Sequence, residues 1–431
     1  MHNLALELHH LGHEVTGSDD EIYDPARSRL AAVDLLPEEG WDEDRIHQDI
    51  DLIILGMHAQ LDNPELLKAQ LLKLQIVSFP EYIGAYNPDN QKVVIAGSHG
   101  KSTTTAMIMH VLSQLQYDAD YLLGGLLKGF DRMVRLSGAP VMVIEGDEYL
   151  SSRVDPRPKM MHYHGDIVVI TGIEWDHKNV FPTEEDYILQ FRNLIEQCTS
   201  EGAHIIWCAY DQHLSALMDQ ASDLPTQESY KGYQLDKDGS ILLEDNVYPI
   251  KVFGNHNLSN LKAAALVCRS LGIVEADFLK AISSFEGVGK RLELISEDPI
   301  MYLDYAHAPS KVRATVEAIR SRYPDQKILC IYELHTYSSL SADFLPQYRD
   351  TLDQSDGAIV FYDHHAIEMK RLPHLGKVDV RKGFGSSDIM VIDDVQELEE
   401  TLHQRIPDYE VVLFMSSGTF GGLDLKSTIH A

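Results

Sequence analysis

The clearest candidate for chemistry is a short glycine loop between an apolar run and a helical pattern. The run at 93–96 predicts a buried strand, and the loop after it consists of Gly97, Ser98, His99, Gly100, Lys101, Ser102 and Thr103. Glycines let backbone N–H groups approach phosphate oxygens, and the start of the next helix adds positive partial charge. Lys101 can neutralise the β- and γ-phosphates, and the Ser102 hydroxyl can ligate Mg²⁺. The segment therefore predicts a nucleotide-phosphate site.

This loop is shorter than the common phosphate-binding loop. Two residues, Ser98 and His99, separate its glycines where the longer pattern has four, and Ile95 stands where that pattern has a glycine. A surface turn is the alternative. The strand before the loop and the apolar helix face after it favour phosphate binding, and that face consists of Ile108, Val111, Leu112 and Leu115.

Polar residues also follow other predicted strands. Glu145 opens an acidic cluster after the run at 141–144, and a carboxylate there can hold an oxygen-seeking cation. Asn257 and Asn260 open an alanine-rich helix, where their amides can offer a donor and an acceptor to a nucleobase edge. A solvated turn and a helix cap are the respective alternatives.

The elements that must position these residues are short apolar runs that alternate with helical patterns. This alternation predicts parallel sheets covered on both faces, with ligands at the carboxyl ends of the strands. Two polar, proline-containing stretches, at 86–91 and 296–299, predict boundaries. The sequence therefore predicts an α/β protein with three domains, at 1–88, 89–295 and 296–431.

The composition excludes several classes of protein. The 431 residues include 36 basic and 67 acidic side chains, a net charge of −31, and such a surface repels nucleic acid. No apolar run approaches the roughly 18 residues that span a membrane, and the first residues lack the pattern of a signal peptide. The four cysteines are scattered without metal-ligand spacing. We expect a cytoplasmic protein with no nucleic-acid or membrane partner.

A series of segments resembles, in order, the motifs of the Mur ligase family, the ATP-dependent amide ligases of peptidoglycan synthesis. These segments lie at 97–103, 145–148, 170–177, 254–260, 285–293 and 302–309. The sequence departs from the family at Gly172, where asparagine is usual. The resemblance implies an N-terminal Rossmann-like domain for a UDP-sugar, a central P-loop ATPase-like domain, and a C-terminal Rossmann-like domain for an amino acid or peptide.

The resemblance also implies roles for individual residues. The implied catalytic residues are Lys101, Glu145, His177 and Arg291. The implied Mg²⁺ ligands are Ser102, Glu145 and His177. Besides all seven residues of the glycine loop, the implied ATP contacts are His256, Asn257, Asn260, Arg291, Asp304 and His307. ATP and Mg²⁺ are thus the implied cofactors, and closure of the C-terminal domain is expected to complete the site.

The N-terminal region gives a further set of expectations. Leu4, Leu8 and Leu11 predict one face of a helix that ends at Gly12, and 13–19 predicts a strand that ends in an acid. By resemblance, the UDP-sugar contacts are Ser18, Asp19, His58 and Asn63. The family has a first strand and a glycine-rich loop before this helix, so we hypothesise a start codon placed too late or a truncated chain. A native mass matching 431 residues would contradict the late start.

Two kinds of family member fit best, and they differ in the amine that they join to UDP-N-acetylmuramate. One kind adds an intact tripeptide, L-alanyl-γ-D-glutamyl-meso-diaminopimelate, and the other adds L-alanine. Glu148-Tyr149 and the segment at 415–422 favour the tripeptide. The segment at 333–338 partly resembles the alanine-adding members, although Thr336 replaces their arginine. In both kinds the sugar carboxylate would form an acyl phosphate that the amine then attacks.

Two further alternatives stay open. A folylpolyglutamate synthase would share the central chemistry but normally lacks the N-terminal domain. A non-catalytic nucleotide-binding regulator is the alternative of a different class, and the absent first strand is its support. The set of Lys101, Glu145, His177 and Arg291 argues against it. The sequence carries no signal for an oligomeric state.

Overall fold

A computed structural model describes residues 1–125, 127, 129–175, 180–221, 226–289, 291–385 and 388–425. These residues form two compact units. The first unit contains 1–173, 188–230 and 263–273, and the second contains 174–187, 231–262 and 274–431. The three-domain division stays a prediction.

The first unit begins with a small α/β segment. Its elements are α1 (His2–His10), α2 (Ala26–Ala31), β1 (Ile53–Leu55), α3 (Pro64–Leu72), β2 (Ile76–Ser78) and α4 (Phe79–Ala85). Strands β1 and β2 pair in parallel, with Ile53 opposite Ile76. These two strands belong to the short apolar runs whose alternation with helical patterns predicted parallel sheets.

The strand predicted at 13–19 is wrong. The segment is irregular and largely exposed, and its backbone bonds are isolated ones, from His13 to Leu8 and from Gly40 to Asp19. A strand forms where its backbone pairs with a neighbouring strand, and none of the described residues pairs with this segment in a ladder.

Helix α1 forms as predicted, but its buried face is different. Leu4 and Glu7 are buried, whereas Leu11 lies beyond the helix end and is exposed. Gly12 follows with a φ of +91°, in the left-handed region that glycine adopts easily, and the chain turns away there. The three-leucine pattern therefore predicted the helix and its end, but not the buried acid.

The larger part of the first unit is a seven-stranded sheet. Its strands and helices are β3 (Gln91–Ala96), α5 (Lys101–Gln114), β4 (Asp120–Leu122), β5 (Val134–Arg135), β6 (Val141–Gly146), β7 (Ile167–Ile170), α6 (Glu184–Glu201), β8 (His204–Cys208), α7 (Gln212–Gln220) and β9 (Gln227–Tyr230). The strand order is β5-β4-β6-β3-β7-β8-β9, and every pairing is parallel except that of β4 with β5. The first residues of α6, up to Tyr187, belong to the second unit.

Strand β3 lies between β6 and β7, and the three strands end at the same level. Ala96 is opposite Gly146 on one side and Ile170 on the other. The loops that follow these strands therefore leave the sheet side by side, as the sequence predicted. The helix after β3 also forms as predicted, except that Leu115 lies just beyond its end and is 40% exposed.

The second unit contains a hairpin, a helical segment and a six-stranded sheet. Its elements are β10 (Ser240–Leu243), β11 (Asn246–Pro249), α8 (Asn255–Ser270, up to Lys262 in this unit), α9 (Glu275–Ile282), β12 (Glu293–Glu297), β13 (Ile300–Asp304), α10 (Pro309–Arg322), β14 (Ile328–Leu334), β15 (Gly357–Tyr362), α11 (His364–Met369), α12 (Lys377–Phe384), β16 (Met390–Ile392), α13 (Val395–Arg405) and β17 (Val411–Met415). The sheet order is β12-β13-β17-β14-β15-β16, and all its pairings are parallel except β12 with β13.

Both faces of this second sheet are covered. Leu329 and Ile331 belong to a core cluster with Leu398 of α13, whereas Cys330 belongs to a second cluster with Val316 of α10. Alternate residues of β14 thus contribute to two cores, which is the arrangement expected of a parallel sheet in an α/β fold. Pro309 begins α10, and Val312, Val316 and Ile319 form a buried stripe on this helix.

Short 3-10 helices occupy Glu43–Arg45, Lys159–His162, Leu345–Tyr348, Ile406–Asp408 and Phe420–Gly422. Among the described residues, no helix is both long enough and apolar enough to cross a bilayer. The predicted α/β class, with parallel sheets in the central and C-terminal parts of the chain, is confirmed.

Candidate active site

The glycine loop joins the end of β3 to the start of α5 in a conformation that requires its glycines. Gly97 has a φ of +128°, and a Cβ there would lie 2.2 Å from the hydroxyl of Thr171. Gly100 has a φ of +84° and stands immediately before the first residue of α5. The loop thus packs against the neighbouring strand end while the helix N-terminus points its free N–H groups outward.

Lys101 is held by two oxygen atoms at the mouth of this loop. Its Nζ donates to the carbonyl of Gly97 at 2.5 Å and to Glu148 Oε2 at 2.6 Å. Its side chain is 12% exposed and that of Glu148 is fully buried. Burial alone would lower the pKa of Lys101, but the carboxylates of Glu148, Asp147 and Glu145 outweigh that effect and raise the pKa. The ammonium is therefore charged at neutral pH.

Ser102 and Glu145 have the spacing of two ligands of one Mg²⁺ ion. Ser102 Oγ lies 2.8 Å from Glu145 Oε1. Adjacent oxygen ligands of an octahedral Mg²⁺, each about 2.0–2.1 Å from the ion, are roughly 2.9 Å apart. The other carboxylate oxygen accepts the backbone N–H of Gly124 at 2.9 Å, which fixes the orientation of the group. These two residues therefore fit the predicted metal role.

No further protein ligand for that ion is visible in the part of the chain that the structure describes. No group of three or more His, Cys, Asp or Glu side chains has metal-binding geometry among those residues. The remaining positions would fall to phosphate and water oxygens, as is usual for Mg²⁺ at a triphosphate. His177, the third predicted ligand, lies outside the described residues.

The acidic cluster at the end of β6 includes Glu148, whose bond to Lys101 the sequence did not predict. Asp147 pairs with Lys159 at 2.8 Å, whereas Glu148 pairs with Lys101. The three carboxylates of Glu145, Asp147 and Glu148 are visible in the sequence as an acidic cluster. The sequence does not show which residue each of them bonds, because the partners belong to different elements.

The loop after β7 supports the glycine loop from the other side. Ser98 N donates to Gly172 O at 2.8 Å, and Ser98 Oγ lies 2.8 Å from His99 Nδ1. Gly172 has a φ of +155°, and a Cβ there would lie 3.0 Å from His99 Cε1. The glycine at this position, where the family usually has asparagine, therefore lets the ring of His99 pack closely. Thr103 is buried one turn into the helix.

The second unit holds the other predicted ATP contacts. Arg291 lies over the ring of Tyr305, with its guanidinium carbon 4.7 Å from the ring centre. His307 Nδ1 lies 2.8 Å from Tyr305 O. The structure thus places Arg291 and His307 around one tyrosine.

Asp304 has a clear structural role in that unit. Its carboxylate accepts the backbone N–H groups of Leu292 and Ala306, both at 2.7 Å, and the hydroxyl of Thr315 at 3.2 Å. The side chain is buried. These bonds tie the segment that follows Arg291 to the end of β13.

The predicted nucleobase contacts lie on the first two turns of α8. Asn257 donates its side-chain amide to Phe253 O at 3.0 Å, in the segment before the helix. Asn260 is buried, and His256 lies against Gly254, where a Cβ would come within 3.1 Å of its Cε1 atom. Asn257 therefore already has a structural function in this arrangement.

The four predicted UDP-sugar contacts divide into two groups. His58 and Asn63 line one cavity of about 230 Å³ together with Trp41. Asn63 also caps α3, because its side chain accepts the N–H of Leu66.

The other two residues are used locally. Ser18 donates to Glu65 at 2.9 Å, and Asp19 accepts the N–H of Asp20. Trp41 and Glu65 are therefore neighbours of the predicted site that the sequence analysis missed.

Comparison with known proteins identifies relatives over the whole chain. The profile of the Mur ligase middle domain matches residues 95–268, and that of the Mur ligase glutamate ligase domain matches 290–418. A UDP-N-acetylmuramate–L-alanyl-γ-D-glutamyl-meso-2,6-diaminoheptandioate ligase of Escherichia coli is 27% identical, over 99% of this chain and 94% of its own length. A UDP-N-acetylmuramate–L-alanine ligase of Ligilactobacillus salivarius is 28% identical, over 100% and 94%.

The fold has a counterpart among solved structures. A murein peptide ligase from Psychrobacter arcticus superimposes with a TM-score of 0.66 at 21% identity, covering 99% of this chain and 96% of the other. At that identity the likeness shows the fold.

Proposed function

The chain belongs to the Mur ligase family, and we propose that it is an ATP-dependent ligase that joins L-alanyl-γ-D-glutamyl-meso-diaminopimelate to UDP-N-acetylmuramate. The observation that carries the proposal is the convergence of Lys101, Ser102 and Glu145 at the start of α5. A cation, a hydroxyl and a carboxylate at a helix N-terminus form a site for a nucleoside triphosphate and its metal ion.

In the proposed reaction, the carboxylate of the sugar attacks the γ-phosphorus of ATP, and the bond to the ADP oxygen breaks. Lys101 lies where negative charge collects on the phosphoryl oxygens, and its fixed position stabilises that charge without reorganisation. The N–H groups at the start of α5 add to this stabilisation. Ser102 and Glu145 would hold Mg²⁺, which when bound would offset further charge on the phosphates.

The second half of the reaction forms the amide. The neutral amine attacks the acyl carbon, the C–O bond to phosphate breaks, and the amine loses a proton. We propose Arg291, Asp304, His307, His256, Asn257 and Asn260 as further ATP contacts, and His177 as a further metal ligand. We propose Ser18, Asp19, His58 and Asn63 as contacts of the UDP-sugar, and the cavity shared by His58 and Asn63 supports two of these four.

The choice of the tripeptide rests on the segments Glu148-Tyr149 and 415–422. The second candidate function is a UDP-N-acetylmuramate–L-alanine ligase. It is favoured by the segment at 333–338 and by a relative of that name at nearly the same identity as the tripeptide ligase.

A coupled assay of ADP release separates these functions. The purified chain is given ATP, Mg²⁺ and UDP-N-acetylmuramate, with either the tripeptide or L-alanine as the amine. We expect turnover with the tripeptide, and mass spectrometry should detect the amide product. Turnover with L-alanine alone would support the second candidate. ADP release that needs no UDP-sugar would contradict the ligase and favour a nucleotide-binding regulator.

A further inference from the structure

Two buried tyrosines of the second unit lie against the same backbone carbonyl. Tyr332 belongs to β14, and Tyr348 is the last residue of a 3-10 helix. Both are fully buried. The hydroxyl oxygen of Tyr332 lies 2.8 Å from His307 O, and that of Tyr348 lies 2.7 Å from it. The reaction proposed above uses neither tyrosine, yet both contact the backbone of a proposed ATP contact.

The two hydroxyls share this carbonyl. Their oxygen atoms are 2.9 Å apart, and each phenol carries one proton to donate. Both can donate to His307 O, whose two lone pairs accept two bonds, or one can donate to the carbonyl while the other donates to its neighbouring hydroxyl. In each of these arrangements the carbonyl receives at least one phenolic proton. Loss of one hydroxyl therefore leaves a phenolic donor in place, whereas loss of both removes it.

Ring packing fixes the positions of these hydroxyls. The ring of Tyr348 stacks on that of Phe384 in α12, with centres 5.2 Å apart and planes inclined by 20°. The ring of Tyr332 lies 5.4 Å from the Tyr348 ring and 6.1 Å from the Phe384 ring. A close-packed interior leaves such rings little room to move. The two donors therefore stand at defined points beside the carbonyl.

The segment that contains this carbonyl is held at a second point. Asp304, at the end of β13, accepts the N–H of Ala306 at 2.7 Å. Tyr305 lies between the two points of attachment, and its ring contacts both the guanidinium of Arg291 and the ring of His307. The placement of three proposed ATP contacts, Asp304, His307 and Arg291, thus depends on the conformation of this one short segment.

We propose that Tyr332 and Tyr348 are positioning residues that together hold the segment at 304–307 in the conformation that receives the nucleotide. The inference rests on the proposed function, since it assumes that this segment and Arg291 contact ATP. A segment that is already fixed loses little conformational freedom when the ligand binds, so more of the contact energy appears as affinity.

The test is a double-mutant cycle on nucleotide binding. Isothermal titration calorimetry with the Mg²⁺ complex of a non-hydrolysable ATP analogue is carried out on the full chain, on Tyr332→Phe, on Tyr348→Phe and on the double variant. Phenylalanine keeps the ring packing. Each single variant should weaken binding by less than about threefold, and the double variant by about tenfold, because a buried carbonyl that loses its donors is costly. In the ADP assay, the double variant should raise KM for ATP more than it lowers kcat.

Tyr362→Phe is the matched control. Tyr362 is a buried tyrosine at the end of β15, and its hydroxyl donates to Leu375 O at 3.0 Å. The variant removes a buried bond of the same kind, but the carbonyl belongs to no proposed ATP contact. It should bind the analogue within about twofold of wild type, as expected of an independent site.

Two results would overturn the inference. One is a double variant that binds the analogue as tightly as wild type. The other is an equal loss of affinity in the double variant and in Tyr362→Phe, which would indicate a general loss of packing. Urea unfolding of the same variants measures the accompanying loss of stability. A wild-type chain that binds no nucleotide would instead contradict the proposed function itself.

Discussion

Each unit of this protein buries a glutamate at the carboxyl end of a parallel sheet, and the two glutamates have different partners. Glu148, in the first unit, is bonded to the Lys101 ammonium. Glu333, at the end of β14 in the second unit, is 2% exposed. It accepts the hydroxyl of Ser416 and the backbone N–H of Phe420, the latter at 2.9 Å.

The difference shows that the effect of a buried carboxylate on the pKa of a nearby base depends on the other groups that the carboxylate bonds. Near Glu148, the pKa of Lys101 is raised although burial opposes the charge. Near Glu333, burial lowers the pKa of His335, and the carboxylate 3.7 Å away offsets this only in part. Glu148 thus sustains a cation that can meet a ligand. Glu333 is satisfied by neutral donors and holds the loop after β17 in place.

The largest effect expected from this comparison is the loss of the cation in the first unit. Lys101→Ala should lower kcat/KM for ATP by about 10²–10³-fold, the usual size of the loss when one fixed electrostatic contact to a transition state is removed. The coupled ADP assay measures it.

Lys159→Ala is the matched control, because Lys159 is also paired with a carboxylate of the acidic cluster, that of Asp147, but lies outside the loop. It should retain activity within about threefold of wild type, as expected when a partly exposed ion pair is broken. Equal losses in the two variants would show that the pairing in the acidic cluster matters more than the position of Lys101, and the contrast between the two glutamates would lose its functional meaning.

The sequence predicted the frame of the first site well. The apolar runs at 93–96 and 141–144 predicted β3 and β6, and the arrangement of parallel sheets predicted that the loops after neighbouring strands lie side by side. The pairing of Glu148 with Lys101 was beyond this reasoning. Which of three neighbouring acids reaches the lysine depends on how the chain turns after Gly146, and the backbone of that turn is bonded to the segment at 157–160.

The bonds around Glu333 in the second unit were less predictable for a related reason. Glu333 is the sixth residue of a strand whose other members are mostly apolar, so its pattern predicts a buried position without naming its partners. Ser416 and Phe420 lie more than eighty residues away in sequence. The strand prediction for 13–19 failed for the opposite reason. The local pattern favoured a strand, but no strand in the described part of the chain pairs with this segment.

A medium effect is expected on stability when Glu333 is altered. In Glu333→Gln, the side-chain oxygen can still accept one bond, but the new NH₂ group faces the donors of Ser416 or Phe420. The unsatisfied groups should lower the free energy of unfolding by about 1–3 kcal/mol. Urea unfolding followed by circular dichroism measures the change.

Glu400→Gln on the exposed face of α13 is the control, and it should change stability by less than about 0.5 kcal/mol. The expected consequence for activity also differs from that of Lys101→Ala. Glu333→Gln should leave kcat/KM for ATP within about threefold of wild type, because the Glu333 carboxylate bonds to Ser416 and Phe420 in the loop after β17. A large loss of kcat/KM would contradict the separation of the two roles.

The smallest effect concerns His335, and its sign follows from the lowered pKa. The folded protein holds the imidazole neutral at pH values where the unfolded chain, with a pKa near 6.5, begins to bind a proton. The unfolded state therefore binds more protons, and stability falls as pH decreases through about 6.5. Because 37% of the side chain remains exposed, solvent screening limits this contribution to a few tenths of a kcal/mol.

Urea unfolding at pH 7.5 and 5.5 measures this contribution. Between these two pH values, the free energy of unfolding should fall slightly less for His335→Asn than for wild type, while His365→Asn on exposed α11 should match wild type. A larger loss in His335→Asn would mean that Glu333 does sustain a charged partner, and the two glutamates would then act alike.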